Sequence, residues 1–572
     1  MVVFLLVSAV LVSAALVTFS WVAFRRPAGV PDKGVLVLKI DGDLAELSIN
    51  PFDSLLQEPV TVGSLTRALK AAKTDPRITG VLLRPVQAPP LWGKLQEVRD
   101  ALVDFKSSGK PLVALLEFAG DREYVLASAA SRVVLVPPGQ LNLTGLASYQ
   151  LFLRGTFDKI GAQPDLLHIG DYKTAVNTFT EKGFTPAHRE MTESLNQDAF
   201  EQLLALVAGA RKKSVEDVRA LVDQGPMLPE AALQNGLVDD VAYYDEIGKT
   251  SGLGDRFKEL PLEQYLSVMP ATRVSLSAPR IAVLYAVGTI VSGNGGSGPT
   301  GTEVGSDKLS QYIREVRNDD SVKAVVLRVD SPGGSTVASD VIWRELMLLR
   351  ARKPLVVSMS DLAASGGYYI AMPGHVIVAQ PGTLTGSIGI FSGKFVTGGT
   401  YSKLGINIEA VSEGAYAEMY SPTRPFNAAE RAKVEEQMQA FYDQFVEKVA
   451  ESRLSTPEKI DMVAQGRVWT GRQARERGLV DELGGLPRAL AIAQQRAGIA
   501  KDATVQVVTY PPKPSVLEAL TTTFGGAGGM RASLAEALLS PEDLATIAAV
   551  RRPLQMLRRG ESLALLPWVF VR

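Results

Sequence analysis

Hydrophobic positions in the second half of the chain fall into short blocks of two different periods. KAVVLRVD (323–330) is a compact apolar run rich in β-branched residues, the pattern of a strand buried on both faces. STVASDVIWRELMLLRAR (335–352) spaces its apolar residues at helical intervals. PLVVSMS (354–360) reads as another strand, ASGGYYIAM (364–372) opens a helix, and HVIVAQ (375–380) is a third strand. This strand–helix–strand alternation predicts an α/β fold with right-handed crossovers. Further on, AAERAKVEEQMQAFYDQFVEKVAESR (428–453) places Val434, Met438, Phe441, Phe445 and Val449 on one stripe of a helix, a packing face. GNGGSGPTGTEVGSDK (293–308) is glycine-rich but lacks the Lys-Ser/Thr ending of a phosphate loop, and reads as a mobile loop.

The same pattern occurs earlier in the chain. VLVLKIDGDL (35–44) parallels IAVLYAVGTI (281–290), and ITGVLLRPVQAPP (78–90) parallels VKAVVLRVDSPGG (322–334). GKPLVALLEFAG (109–120) matches RKPLVVSMSDLA (352–363), and NGLVDD (235–240) matches RGLVDE (477–482). The offset stays near 240 residues, so the chain contains two copies of one unit joined around residues 262–280. The expected layout is an anchor at 1–26, a first repeat at 30–262, a second at 278–500 and an extension at 501–572. Apolar stretches in that extension, LAEALL and LALLPWVF, would pack on the body or touch a membrane.

Composition narrows the chemistry. The formal net charge is -1 and charge is evenly mixed, which gives no reason to expect a nucleic-acid surface. There is no Cys, so disulfides, thiol nucleophiles and thiolate metal sites are excluded. The three histidines, His168, His188 and His375, lie far apart and make a histidine-built zinc site unexpected. The first 24 residues carry no charged side chain, and about 20 apolar residues suffice to span a bilayer, so an uncleaved transmembrane helix is expected. Arg25 and Arg26 follow it; read literally, they place the body on the cytoplasmic side.

The candidate chemistry emerges where the copies differ. NLTGLAS (142–148) aligns with TLTGSIG (383–389), setting Leu146 against Ser387; GDYK (170–173) aligns with GAYA (414–417), setting Lys173 against Ala417. One copy holds the serine and the other the lysine. A lysine deprotonates a serine only when neutral, which burial at an interface between the copies would favour. Ser387 is therefore the expected nucleophile and Lys173 the expected general base of one composite site. Gly333 and Gly334 of SPGG are the candidate oxyanion donors, since glycine lets backbone N–H groups approach a substrate closely. No metal or organic cofactor is needed.

LRVDSPGGS (327–335), AASGGYYIA (363–371) and TLTGSIGIF (383–391), with DYKTAV (171–176) upstream, resemble the signal peptide peptidase A family, in its long two-repeat bacterial form. The resemblance covers roughly residues 35–500. It implies an α/β tandem repeat of a Clp/crotonase-like domain with an N-terminal transmembrane helix, and a serine endopeptidase with a Ser–Lys dyad falling on Ser387 and Lys173. It also implies a homotetramer at the bacterial inner membrane with a periplasmic body, acting on released signal peptides and other apolar peptides. That location opposes the literal charge reading of Arg25 and Arg26. VQAPP (86–90) in place of a Gly-Gly turn fits a first copy that has lost its own site, and Thr174, Asn177 and Thr178 depart from the family's flank after the lysine.

Three other readings compete. A Clp-type Ser–His–Asp triad would use Ser365, but Ala379 stands where its histidine belongs and His375 falls four residues early, leaving Ser365 as a helix N-cap. A crotonase-type acyl-CoA enzyme would share a glycine oxyanion hole but gives no reason for the Ser/Lys exchange. A catalytically silent membrane scaffold of the same fold would have no need to retain both Ser387 and Lys173.

Overall fold

The computed structural model describes residues 33–47, 60–269, 278–298, 301–512, 557, 561–566 and 570–571. The expected anchor at 1–26 lies outside these residues. Among the described residues no helix is long and apolar enough to cross a membrane.

The first unit is a parallel sheet of β1 (Gly34–Asp41), β2 (Ile78–Gln87), β3 (Leu112–Gly120) and β4 (Arg132–Asn142), edged by Asp240–Val241 and Glu259–Pro261. The middle stretches of its strands are apolar because α1 (Val62–Thr74), α2 (Trp92–Lys106) and α3 (Asp121–Ser128) connect them as crossovers. Thr61 starts α1 by accepting the Ser64 N–H, while Ser64 Oγ accepts the Thr61 N–H, a reciprocal capping box. One further strand, β5 (Gln163–Ile169), leaves this sheet and pairs elsewhere. The long helix α4 (Pro186–Arg211) then returns to the first core through Leu203, Leu204 and Val207.

The second unit repeats the plan with β6 (Arg280–Val287), β7 (Val322–Ser331), β8 (Gly333–Ser335), β9 (Leu355–Ala364) and β10 (Val376–Ala379). Its crossovers include α5 (Ser306–Asn318) and α6 (Thr336–Arg350), and α7 (Gly366–Ala371) follows β9 directly. β11 (Leu384–Gly386), β12 (Ile390–Val396), the helix α8 (Ala428–Ser452), β13 (Val468–Thr470), α9 (Leu486–Arg496) and β14 (Gln506–Tyr510) complete it. The repeat is visible in single contacts: Tyr124 donates to the Leu237 carbonyl at 2.5 Å in the first unit, and Tyr368 to the Leu479 carbonyl at 3.0 Å in the second. On α8 the expected stripe is buried at Val434, Met438, Phe445 and Val449, with Phe441 partly buried beside it.

One stretch differs from its sequence reading. Residues 293–308 are not a plain loop: Ser297–Gly298 pairs antiparallel with Gly301–Gly305, and Ser306 starts α5. Glycine makes the close backbone approach here possible, since a Cβ on Gly305 would lie 2.0 Å from the Asn294 carbonyl carbon.

The two units meet on a buried polar seam. Arg328 of β7 is fully buried, bonding Glu46 through both carboxylate oxygens (2.7 and 2.9 Å), Glu97 at 2.9 Å and Ser358 Oγ at 2.9 Å. Beside it, Lys94 Nζ of α2 stands 3.2 Å from Asp330, 3.4 Å from Asp361 and 3.3 Å from Asp43. Burial pushes the Asp361 carboxyl up to about 7 in spite of the Lys94 charge. The backbones touch as well, because a Cβ on Gly93 of α2 would lie 2.5 Å from the Ser360 carbonyl oxygen.

Candidate active site

A third sheet gathers strands from both units. Its order is Ser297–Gly298, Gly301–Gly305, Thr289–Val291, β8, β15 (Leu563–Leu565), β12, β5. β5 belongs to the first unit by sequence, yet it pairs antiparallel with β12 over seven residue pairs, from Ile390↔Ile169 to Val396↔Gln163. The turn after β5 is thereby delivered into the second unit. Tyr172 N–H donates to the Gln465 carbonyl at 2.8 Å, and Gly466 (φ 77°) lies so close that a Cβ there would sit 2.5 Å from Lys173 Cα.

Lys173 is the residue this turn presents, and it is fully buried. Its Nζ lies 2.7 Å from Ser365 Oγ, 3.0 Å from Ser387 Oγ and 3.1 Å from the Ser387 carbonyl oxygen. Among the described residues no carboxylate faces it, so burial acts on the amine and drives its pKa well below the usual lysine value. A neutral amine has two N–H donors and one lone pair. The Ser387 carbonyl accepts one N–H, one hydroxyl oxygen accepts the other, and the lone pair is left for one serine O–H.

The structure thus brings Lys173 and Ser387 together across the two repeats. Their counterparts do not form such a pair: Leu146 packs on the first core, and Ala417 is exposed on an irregular stretch. The altered flank is mostly satisfied, with Asn177 Nδ2 donating to Thr185 Oγ1 at 3.2 Å and Thr178 Oγ1 accepting from Gln150 at 3.2 Å, while Thr174 Oγ1 is buried without a partner.

Sequence reasoning gave Ser365 too small a part. As an N-cap its hydroxyl would bond the first turn of α7, but it makes no capping bond and faces Lys173 instead. Ser365 stands at the abrupt junction of β9 and α7 with φ 56° and ψ -114°, a conformation costly for a side chain with a Cβ. Its N–H is held by the Gly386 carbonyl at 2.8 Å, and its carbonyl accepts the Tyr369 N–H at 2.9 Å. The signal available in the sequence was the strand-to-helix setting of Ser-Gly-Gly, the place where a strained turn exposes a hydroxyl.

The glycines of SPGG sit against this junction. A Cβ on Gly333 (φ 101°) would lie 2.7 Å from Gly366 N, and one on Gly366 would lie 3.0 Å from Gly334 N. The Gly333 N–H donates to Ser331 Oγ at 3.2 Å, Gly334 pairs with Ala564 of β15, and the Gly334 and Gly366 nitrogens lie beside this junction. His375 belongs to the opposite end of β9, where its Nδ1 accepts the Leu355 N–H at 3.1 Å. A ten-residue strand separates that end from Ser365, roughly 30 Å, so His375 cannot serve as its base. Among the described residues no group of three or more His, Cys, Asp or Glu could hold a metal ion.

Residues 104–251 and 347–500 each match Peptidase family S49. The chain is 37% identical over 482 residues to the chloroplastic serine protease SPPA of Arabidopsis thaliana, covering 83% of this chain and 71% of that one. It is 35% identical over 493 residues to Protease 4 of Salmonella typhi, covering 83% and 77%. Protease 4 of Haemophilus influenzae is 30% identical over 534 residues, covering 87% and 84%.

Proposed function

The chain belongs to peptidase family S49, and on that premise we propose that it is a serine endopeptidase whose nucleophile is Ser365 and whose general base is Lys173. The observation that carries this reading is the 2.7 Å approach of a fully buried, carboxylate-free amine to a hydroxyl on a strained strand–helix turn. Lys173 takes the Ser365 proton as the hydroxyl attacks the scissile carbonyl. It returns that proton to the leaving amine, then activates water to release the acyl group. The ammonium formed in between has three N–H donors, matched by the two hydroxyl oxygens and the Ser387 carbonyl. Gly334 and Gly366 N–H groups face the developing oxyanion, where losing one such donor typically costs about 10²–10³ in rate.

Ser387 takes the part of a positioning residue, a departure from the role its sequence alone suggested. It grips Lys173 through both its carbonyl and its hydroxyl, whereas the glycine N–H groups of SPGG gather at Ser365.

The substrates we read for this site are apolar peptides, cleaved signal peptides among them, with the chain held at a membrane by residues 1–26 and its body periplasmic. The resemblance and the uncharged N-terminus support this. A homo-oligomer, the tetramer of the resemblance, is supported by an asymmetry between the repeats. β5 is paired with β12, but the corresponding stretch of the second repeat, around 406–413, forms no strand and exposes Ile406, Ile408 and Val411. A second copy would cover it.

The test is hydrolysis of an apolar reporter peptide by the full chain and three variants. Ser365→Ala and Lys173→Ala should abolish cleavage, and Ser387→Ala should lower kcat while leaving labelling of Ser365 by a fluorophosphonate detectable. Full activity in Ser365→Ala with none in Ser387→Ala would return the nucleophile to Ser387. An inert, folded wild type would favour the scaffold.

A further inference from the structure

The two copies trade more than a serine for a lysine. Arg467 stands ten residues before RGLVDE (477–482), whereas Gly225 stands ten before NGLVDD (235–240). Glu190 stands five residues after Thr185, the N-cap of α4, whereas Ala432 stands five after Asn427, the N-cap of α8. One repeat supplies an anion, the other a cation, and both counterparts are uncharged. The fold brings the charged pair together. Arg467 Nη1 donates to Glu190 Oε1 at 2.7 Å, and the Tyr172 hydroxyl donates to Glu190 Oε2 at 2.9 Å. The Arg467 guanidinium also lies 4.5 Å from the centre of the Tyr172 ring and 4.6 Å from that of Trp469. Tyr172, Glu190 and Arg467 thus close a ring drawn from both repeats, on the residue that precedes Lys173. Tyr416, the counterpart of Tyr172, is exposed.

Arg467 belongs as well to the backbone bracket that spaces the two turns. Its carbonyl accepts the Ser387 N–H at 2.7 Å, and the Gly466 N–H donates to the Ile388 carbonyl at 2.7 Å. On the other side of the bracket, a Cβ on Gly170 (φ 98°) would lie 2.4 Å from the Gln465 carbonyl carbon, so the lysine turn is pressed directly against it. Trp469 pairs with Thr385 of β11, and a Cβ on Gly386 would lie 2.9 Å from its Cδ1. The Gly386 carbonyl in turn holds the Ser365 N–H. One guanidinium therefore touches the neighbour of the lysine and the support of the serine turn. Helix α4 is docked at the same place, where Met191 Sδ accepts the Val468 N–H at 3.2 Å.

This ring is poorly suited to stabilising the fold. Glu190 is 57% exposed, and exposed ion pairs contribute little. What it fixes is position. The pairing of β5 with β12 ends at Ile169, four residues short of Lys173, so the last reach of the base depends on contacts made by the turn itself. We propose that Arg467 and Glu190 are positioning residues for the base: with Tyr172 they clamp the lysine turn against the second repeat and keep the Lys173 amine between the two serines and out of water. This inference rests on the reading of Lys173 as general base. A misplacement of about 1 Å in such a site costs about 10²-fold in rate.

The experiment uses the full chain with Arg467→Met, Glu190→Gln, the two combined, and Lys173→Ala. The readouts are kcat and KM for an apolar reporter peptide, the pH limb of kcat/KM, and thermal melts. Hydrogen bonds from Arg467 and Tyr172 hold the Glu190 carboxyl below its usual range, so the limb does not belong to that group. The nearby charges common to all variants are Arg477, stacked on Trp469 at 3.8 Å, and Asp461, which accepts from Gln465 Nε2 at 2.6 Å. Each single variant should lower kcat about 10–100-fold with KM and melting temperature nearly unchanged, and the double variant should be little worse than the weaker single one. The two substitutions alter charge in opposite senses. A field acting through space would move the lysine limb up in Arg467→Met and down in Glu190→Gln, whereas a loosened turn that admits water moves both up, toward the ordinary lysine value. Limbs that move apart, or kcat and limb equal to wild type in both variants, would overturn the proposal. So would a loss of kcat that follows the melting temperature at an unmoved limb. Full hydrolysis by Lys173→Ala would remove the base reading itself, and this inference with it.

Discussion

Replacing Arg328 with methionine tests what holds the two repeats together. The side chain is completely buried and bridges Glu46 and Ser360, Glu97 and Ser358 at 2.7 to 3.1 Å. Methionine fills much of the volume but leaves two buried carboxylates facing each other without their cation. Removing one partner of a buried ion pair typically costs about 3–5 kcal/mol, or a factor of roughly 10²–10⁴ in the folded population. At about 2–4 °C per kcal/mol for a unit of this size, the melting temperature should fall by roughly 6–20 °C. The pH dependence has a definite sign. In the wild type, burial pushes the Glu46 carboxyl up, but the charge and hydrogen bond of Arg328, joined by the Lys94 charge and the Ser360 hydrogen bond, together outweigh it and hold the group below its usual range. That contribution is present above the unfolded carboxyl pKa and lost as pH falls through the folded one. Glu97 is already held above its usual range by burial in spite of Arg328. Without Arg328 burial raises Glu46 as well and Glu97 further, so the variant gains more stability on acidification than the wild type, and the gap between the two proteins widens from pH 4 to pH 8. Adding Glu46→Gln and Glu97→Gln should recover part of the loss. Calorimetric melts across that pH range, with peptidase activity followed in parallel, decide the matter. An unchanged melting temperature, or a loss independent of pH, would refute the view of this seam as a charge-balanced clamp.

The kcat/KM profile should rise with pH on a single limb set by Lys173, placed below the ordinary lysine value because burial depresses it; a limb near 10.4 would contradict a buried neutral base. Lys173→Met should be inactive yet more heat-stable at neutral pH, since the unfolded chain binds a proton there that the folded lysine gives up, and the gain should shrink as pH rises toward about 10.4. Ile408→Asp, on the exposed stretch that corresponds to β5, should lower the copy number read by sedimentation, and an unchanged oligomer would remove that surface from the interface.

Much of this architecture could be read from residue patterns, and what escaped has physical causes. Strands such as KAVVLRVD announce themselves because both of their faces are covered, and the near-240 offset exposes the duplication without any structural input. Lys173 stood out because its counterpart in the other copy is alanine. Ser365 was harder to weigh, since its standing depends on a backbone conformation, φ 56° after a ten-residue strand, that no residue pattern states. Two serines compete for one amine within 0.3 Å, and only three-dimensional placement of the SPGG glycines separates their surroundings. The glycine-rich stretch at 293–308 was misread because glycine serves mobile loops and crowded hairpins alike. The partner of β8 was also hidden, because it lies more than two hundred residues downstream in a stretch with no counterpart in either repeat.

On the proposed assignment of Lys173 as base and Ser365 as nucleophile, the pairing of β5 with β12 also sets the timing of activity during synthesis. Lys173 and Ser365 are 192 residues apart, so at about 5–20 residues per second the lysine-bearing half waits roughly 10–40 s before its serine is even translated. Until both halves are folded and docked, the amine remains solvated and protonated and the hydroxyl has no base. A half-made chain emerging among other unfolded apolar segments would, on that assignment, carry no cutting power. Safety that other proteases obtain from a removable pro-segment is here a property of chain order.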